Sequence, residues 1–420
     1  MKGVGGMRDI QSESAAMPKD LKLVNRMKIL SAIAQSERVM LNEIAETTGI
    51  SRQTIVKALE SFVEQGLVVS LGKGSSTSVG GKKPEIFSFN KNYKYNICVR
   101  LENRVLIVAL TNLKNEILSV RRKPHGQNEP LENIIWDFKT IYADILSEKQ
   151  ISNDDIYMVG VCMGGITDAE TGILRYNSLY PNWGRKIPVV DMFRSILPEH
   201  VDVIVGNDAK MTGFAELYYN KELYEKSYVA LYTLDGISAG FIDHGRIIMG
   251  SHAMLGEVGH MTLDPDDPEI CQCGSCGCFE RLVSIDRLYS RIINHRAYER
   301  SVLYRHGSNL TLDDIFNAAD NDADFLAMEI VEYITKYFGM AIRNIMINID
   351  PELIIIQGMY ADAGKYFDHT LKKNLNRFKY LPQNDSVKIF YDNREVWHLA
   401  VLGTSMCMIE RFMNNESLYK

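Results

Sequence analysis

Apolar residues first recur at helical spacing at Leu23, Met27, Leu30 and Ile33, three or four apart, which places them on one face of a helix. A second short helix is expected over Leu41–Thr48, stopped by Gly49. A third begins after Ser51, a natural N-cap, carries Ile55, Leu59 and Phe62 as its apolar stripe, and ends near Gly66. The β-rich runs 67–70 and 85–89 then flank a Gly-, Ser- and Lys-rich stretch at 72–84 that suits an exposed hairpin. Three helices followed by such a hairpin predict a winged helix-turn-helix over 21–90, after a short tail at 1–20 poor in large apolar residues.

Past Asn90 the period changes. Strands are expected near 95–101, 104–111 and 115–121, then an amphipathic helix near 131–148 and a buried-type strand at 156–162. A similar order returns later, with strands near 228–234, 238–243 and 246–249, a helix from Phe279, a long helix near 323–348 and an apolar strand at 353–356. This alternation indicates an α/β region of two related lobes, 91–220 and 221–395, with a C-terminal helix at 396–420 returning to the first. Ligand is expected in the cleft between the lobes.

Composition narrows the class. Hydrophobic residues make up 46% and charged residues 24% of 420 residues, as in a soluble globular protein. No apolar run approaches the ~20 residues that cross a bilayer, and 1–20 lacks the apolar stretch of a secretion signal, so a cytoplasmic protein with no membrane partner is expected. The net charge of -6 is uneven: residues 1–94 hold 14 Lys and Arg against 9 Asp and Glu, a balance of +5, leaving -11 for the rest. A basic head on an acidic body fits a nucleic-acid contact at one end.

Within the head, Arg52, Gln53, Thr54 and Lys57 lie off the apolar stripe of the third helix. With Ser51 they are the candidates for contact with double-stranded DNA if that helix enters the major groove. Lys73, Lys82 and Lys83 in the hairpin would meet phosphates, which positions the protein without reading sequence. The alternative for this unit is a protein-contact module.

Four of the seven cysteines, Cys271, Cys273, Cys276 and Cys278, fall within eight positions, where a disulfide framework would spread them through the chain. Cys271, Cys273 and Cys278 together with His260 supply three thiolates and an imidazole, the set for a closed tetrahedral zinc site, structural rather than catalytic and one per chain. Gly274 and Gly277 allow the tight turn this needs, and Cys276, between them, is read as a spare thiol. Unliganded buried cysteines are the alternative.

The string CxCGxxGCxE at 271–280, preceded by GEVGH at 256–260, resembles the signature of the ROK family (repressors, open reading frames and kinases). The resemblance extends to Asn25 and Arg26 in the head, to the GND motif at 206–208 and to the region around Gly358, and the attached winged helix is similar to the repressor branch. It implies a two-lobed, actin-like ATPase (ribonuclease H-like) fold and a sugar held by Asn207, Asp208, Glu257, His260 and Glu280. Carboxylates and an amide suit a polyol, and hydrogen bonds to charged groups are worth ~1.5 to 3 kcal/mol each. By the same resemblance His260 serves both zinc and sugar, and Asp208 stands where a kinase has its base. Asn207 and Asp208 also suit a helix cap.

The phosphate loops of the family's kinases are altered here. The first, resembling DxGGT, is replaced by Arg100, Leu101, Glu102, Asn103 and Arg104. The second, resembling GTGIGxG, reads Leu234, Asp235, Gly236, Ile237, Ser238, Ala239 and Gly240, and Gln357 replaces one glycine of a usual pair before Met359. The usual proline is missing from 163–168. The expectation is a regulator, not an enzyme, in which a sugar or sugar phosphate closes the lobes and changes operator affinity, working as a homodimer or dimer of dimers. A kinase with an appended DNA-binding domain and a regulator sequestered by a protein partner are the competing readings.

Overall fold

The computed structural model describes residues 18–73, 84–102, 104–234, 236–377 and 387–419. The expected tail, apart from 18–20, lies outside these residues, as do Lys82, Lys83, Asn103 and Asp235. The chain divides into two compact units, one of 1–95, 112–116 and 408–420, the other of 96–111 and 117–407.

In the smaller unit, α1 (Pro18–Gln35), β1 (Val39–Met40), α2 (Leu41–Thr48), α3 (Arg52–Glu64), β2 (Val68–Lys73) and β3 (Glu85–Phe89) follow in order, with the strands in a sheet of order β1-β3-β2. Gly49 ends α2 in the left-handed region at φ 69°, its N–H donating to the Ala45 carbonyl. The Ser51 hydroxyl starts α3 by accepting from the Thr54 N–H at 3.3 Å. Ile29, Leu30, Ile33, Ile44, Ile55, Leu59 and Phe62 are buried. Leu23 and Met27, expected on the same stripe, are only half-buried. Arg26 is buried: its Nη2 donates to Ser61 Oγ at 2.5 Å and its guanidinium lies 5.1 Å from the Phe62 ring centre. The end of the chain completes this core, with the Tyr419 ring edge-on to Phe62 at 6.3 Å and its hydroxyl donating to the Met413 carbonyl at 2.6 Å.

The larger unit holds two five-stranded sheets. The first is built from β4 (Tyr95–Glu102), β5 (Val105–Asn112), β6 (Ile117–Pro124), β7 (Ile156–Met163) and, after α4 (Leu131–Lys149), a small sheet of β8 (Ile166–Asp168), β9 (Ile173–Tyr176) and β10 (Arg185–Ile187), and α5 (Val189–Arg194), by β11 (Asp202–Asn207). Its order is β11-β7-β4-β5-β6. From β11 the chain turns directly into α6 (Asp208–Tyr219).

The second sheet comprises β12 (Ser227–Thr233), β13 (Ile237–Asp243), β14 (Arg246–Ile247), β15 (Leu353–Gly358) and β16 (Lys388–Asp392), in the order β14-β13-β12-β15-β16. Numbered within itself, each sheet reads 5-4-1-2-3, so the two lobes share one topology, as the recurring pattern predicted. In both, the last two strands pair in parallel and an antiparallel hairpin forms the other edge. Between β14 and β15 lie α7 (Phe279–Leu282), α8 (Ile285–Ile293), α9 (Leu312–Asp320) and α10 (Phe325–Ile349). α10 is capped by Asp324, which accepts from the Ala327 N–H at 2.9 Å, and Phe338, Ile342 and Ile345 of α10 are buried. After β15 come α11 (Gly364–Asn376) and α12 (Val396–Met413), whose residues to Cys407 belong to this unit and from Met408 to the smaller one. No helix among the described residues is long and apolar enough to cross a membrane.

Candidate functional site

The candidate DNA-contact residues sit where the cap places them. Ser51, Arg52, Gln53, Thr54 and Lys57 are all exposed at the start of α3, opposite its buried stripe, and Lys73 is exposed at the end of β2. The Ser51 hydroxyl is engaged by the cap and lies 2.9 Å from Thr54 Oγ1. Lys82 and Lys83 are outside the described residues.

His260, Cys271, Cys273 and Cys278 converge, their candidate ligand atoms all within 4.8 Å of one another. Cys273 and Cys278 sulfurs are 3.6 Å apart, and Cys271 Sγ is 3.7 Å from His260 Nδ1. Around a tetrahedral ion with bonds of about 2.3 Å, thiolates stand roughly 3.8 Å apart, so the cluster fits a metal of that coordination. The thiol chemistry agrees: burial raises the pKa of Cys271 and Cys278, and a dication is what would hold them as thiolates. Nδ1 faces the sulfurs, which leaves Nε2 of His260 turned away from them. Cys276 points elsewhere, 3.5 Å from the Pro265 carbonyl.

The tight turn at Gly277 has a specific cause: a Cβ there would lie 1.7 Å from the Asp264 carbonyl oxygen. Salt bridges fasten the metal loop to the helices after it, Arg287 to Asp267 at 2.6 Å and Arg281 to Glu269 at 2.7 Å. Sequence reading missed this pairing because nothing local marks which charges will meet.

The five polar residues assigned to a ligand come from two places. Asn207, at the end of β11, caps α6 by accepting from the Lys210 N–H at 3.3 Å, while its Nδ2 donates to the Gly165 carbonyl at 3.1 Å. Asp208 follows, with Oδ1 accepting from the Ala209 N–H at 2.8 Å. Both residues thus take the capping role at the start of α6. Glu257 follows Gly256, whose missing Cβ lets the loop pass against the Ala239 carbonyl of β13. His260 ends the same turn, and Glu280 begins α7.

These groups interact. Burial, then Asp208, push the Glu257 carboxyl up to about 7, with Lys210 opposing and Glu280 reinforcing. Lys210, two residues beyond Asp208 and only 3% exposed, has its pKa lowered by burial against the pull of Glu257 and Asp208. It went unread in the sequence, where a lysine early in a helix gives no signal of burial. Glu280 Oε2 accepts the Ile237 N–H at 2.9 Å, which ties it to the turn between β12 and β13.

Beside this turn lies a cavity of about 440 Å³ lined by Thr233, Gly236, Ile237, Glu280, Arg281 and Tyr360. At the end of β4, Arg100 is turned inward, 2% exposed, donating through Nη1 to the Val396 carbonyl at 3.0 Å and through Nη2 to the Tyr232 hydroxyl at 3.2 Å. It thereby joins a strand of the first sheet to one of the second. Gln357 is also fully buried.

An N-terminal helical unit joined to a two-lobed, sugar-kinase-like core is the class that this fold and site define. The chain belongs to the ROK family, whose sequence model matches residues 96–410, and a MarR family model matches 20–72. At 25% identity over 407 residues, 94% of each chain, it is similar to the DNA-binding transcriptional dual regulator NagC of Escherichia coli (strain K12). It is 29% identical over 237 residues to a glucokinase of Halalkalibacterium halodurans, covering 56% of this chain and 70% of that enzyme. The crystal structure of a ROK family transcriptional regulator, a homolog of the E. coli MLC protein, matches the fold with a TM-score of 0.78 at 18% identity, over 95% of this chain and 100% of that one.

Proposed function

We propose that this chain is a sugar-responsive transcription regulator. It binds operator DNA through a winged helix-turn-helix and holds a sugar or sugar phosphate between the lobes of an actin-like, ribonuclease H-like fold. The observation that carries this is that Asp208, from one lobe, and Glu257 and Glu280, from the other, act on one another, with Asn207 next to Asp208 and His260 bonded to the Glu257 carbonyl, on one chain with an exposed polar helix start at Arg52–Lys57. Similarity to NagC over 94% of each chain supports it.

The His and Cys set holds one structural zinc. Metal at Nδ1 of His260 fixes the ring, leaves Nε2 for a ligand hydroxyl, and locks the loop that bears Glu257 and Glu280. Ligand binds one arrangement of the chain better than another, and operator affinity follows. Two recognition helices on a two-fold symmetric operator call for a homodimer or a dimer of dimers.

Phosphoryl transfer is not part of this reading. The guanidinium of Arg100, at the first loop position, is spent on Val396 and Tyr232 as a buried strut, and the one backbone N–H of Ile237 in the second loop is taken by Glu280, which supports this reading. Asp208 then acts as a ligand to a hydroxyl.

The test is fluorescence anisotropy with an operator fragment from the chain's own promoter, with and without sugars. A sugar-dependent change in affinity is expected, and no change with any of them counts against the proposal. An ATP-coupled assay over the same sugars is expected to read background. Turnover would favour the kinase reading, and protein capture with unaltered sugar response would favour sequestration.

A further inference from the structure

α1 carries no basic residue in its last turn, where the final carbonyls lack helical partners and positive charge is favoured. The cation comes from another part of the chain. Lys114 Nζ donates to the Ser36 carbonyl at 3.0 Å and also to the Ala34 carbonyl. Lys114 sits at the tip of the hairpin formed by β5 and β6. That tip, 112–116, belongs to the smaller unit, whereas the strands that carry it, up to Thr111 and on from Ile117, belong to the larger one.

The tip holds its lysine in place. Asn112 Oδ1 accepts from the Lys114 N–H at 3.0 Å and from the Glu116 N–H at 3.1 Å, and Asn115 turns the chain in the left-handed region at φ 62°. Asn112 and Leu113 are buried, and the Leu113 N–H donates to the Lys91 carbonyl at 2.9 Å. From α1 the connection runs on to α3, because Arg26 of α1 bonds to Ser61 and lies over the Phe62 ring. α3 is the helix that begins with the exposed Arg52, Gln53, Thr54 and Lys57.

We propose that Lys114 is the positioning residue that ties the DNA-contact helix to the strands of the first lobe, so that a ligand-driven change in β5 and β6 passes to α1 and on to α3. This rests on reading the chain as a sugar-responsive regulator. A charge-assisted hydrogen bond is strong but directional, and it weakens steeply as its geometry is lost. Small displacements of the hairpin are therefore felt at the end of α1.

Operator anisotropy and, without DNA, isothermal titration of the full-length, zinc-loaded chain test this. The probes are glucose, xylose, N-acetylglucosamine and the 6-phosphates of glucose and N-acetylglucosamine. At least one is expected to change wild-type operator affinity by ~5-fold or more, the ordinary range of such coupling. Lys114→Met should cut that response below about twofold while probe affinity stays within about threefold, and Lys114→Arg should restore it. Lys114 is half-buried, so Met in its place disturbs no packed core and should leave far-UV circular dichroism unchanged. Lys91→Met, which removes only the exposed ion pair to Glu116 on the same tip, should keep the full response. A wild-type response in Lys114→Met, or an equal loss in Lys91→Met, overturns the inference and leaves the regulator reading standing. A wild type whose operator affinity no probe alters overturns both.

Discussion

Gln357 donates its side-chain amide to Glu216 across the interior, Nε2 to Oε1 at 2.6 Å, and so joins β15 to α6. The other Glu216 oxygen accepts from Arg394 at 2.7 Å, and Arg394 also binds Asp392. Burial, then Asp392, push the Glu216 carboxyl up to about 8, with Arg394 and Gln357 opposing. Asp392 is also raised by burial, but Arg394 outweighs this and holds it below its ordinary value.

A carboxyl whose pKa is higher in the folded chain than its ordinary 4.5 stabilises the fold most at low pH, and that contribution is lost as pH climbs toward 8. Glu216→Gln cannot ionise and keeps an amide able to bond. Urea denaturation should show the wild type losing roughly 2 kcal/mol more than the variant between pH 5 and pH 8. Parallel pH profiles would remove Glu216 as the source.

Metal should be separable from fold. Cys273, the exposed member of the cluster, closes the set from outside, so Cys273→Ser is expected to lower bound zinc from one per chain to near zero by elemental analysis. Far-UV circular dichroism should change little, because residues 261–278 contribute no helix or named strand, while sugar affinity falls about tenfold or more as Glu257 and His260 lose their frame. Full metal content and full sugar binding in the variant would show that the cluster does not organise the site.

Two arginines of the head should fail differently. Arg26 is buried against Ser61 and Phe62, and Arg26→Met should cost about 1 to 3 kcal/mol in denaturation. Arg52 is exposed, so Arg52→Ala should leave stability within about 0.5 kcal/mol yet weaken operator binding. If it contacts phosphate, the slope of log affinity against log salt falls by about 1. Equal loss of stability in both variants would contradict the assignment of Arg52 to DNA.

Arg100 links the lobes through Tyr232 and Val396. Arg100→Met should destabilise the larger unit by about 2 to 4 kcal/mol, since a buried phenol and a carbonyl lose their partner together. No phosphoryl transfer should appear in the variant, and a thermal shift near zero would mean that the strut is dispensable.

What the sequence made legible was local. α2 ran over Leu41–Thr48 as expected because Gly49 and Ser51 stop one helix and start the next within three residues. The metal set was readable because three thiols sit within eight positions and need only a turn to meet. The doubled strand order followed from the repeated pattern. The small sheet of β8, β9 and β10 escaped because its strands are three or four residues long, too short for a period to show.

Pairings that depend on distant partners were hidden as well. Arg100 meets Tyr232 and Val396, and Gln357 meets Glu216, across more than a hundred residues of chain. Arg100 was read as a lost phosphate loop, which says what is missing and not what the guanidinium does. Lys210 looked like any polar residue in a first helical turn, and its burial comes from the packing of α6 against β13.

Asn207 ends the first sheet and Asp208 begins the helix after it, whereas Glu257, His260 and Glu280 belong to the second lobe. A molecule gripped by both sets is a tether, and its binding energy becomes mechanical resistance: the force needed to pull one lobe from the other rises with the occupant's affinity. Neither half alone can recognise it, so a chain cut between the lobes would lose its sense of the ligand while each fragment kept its strands.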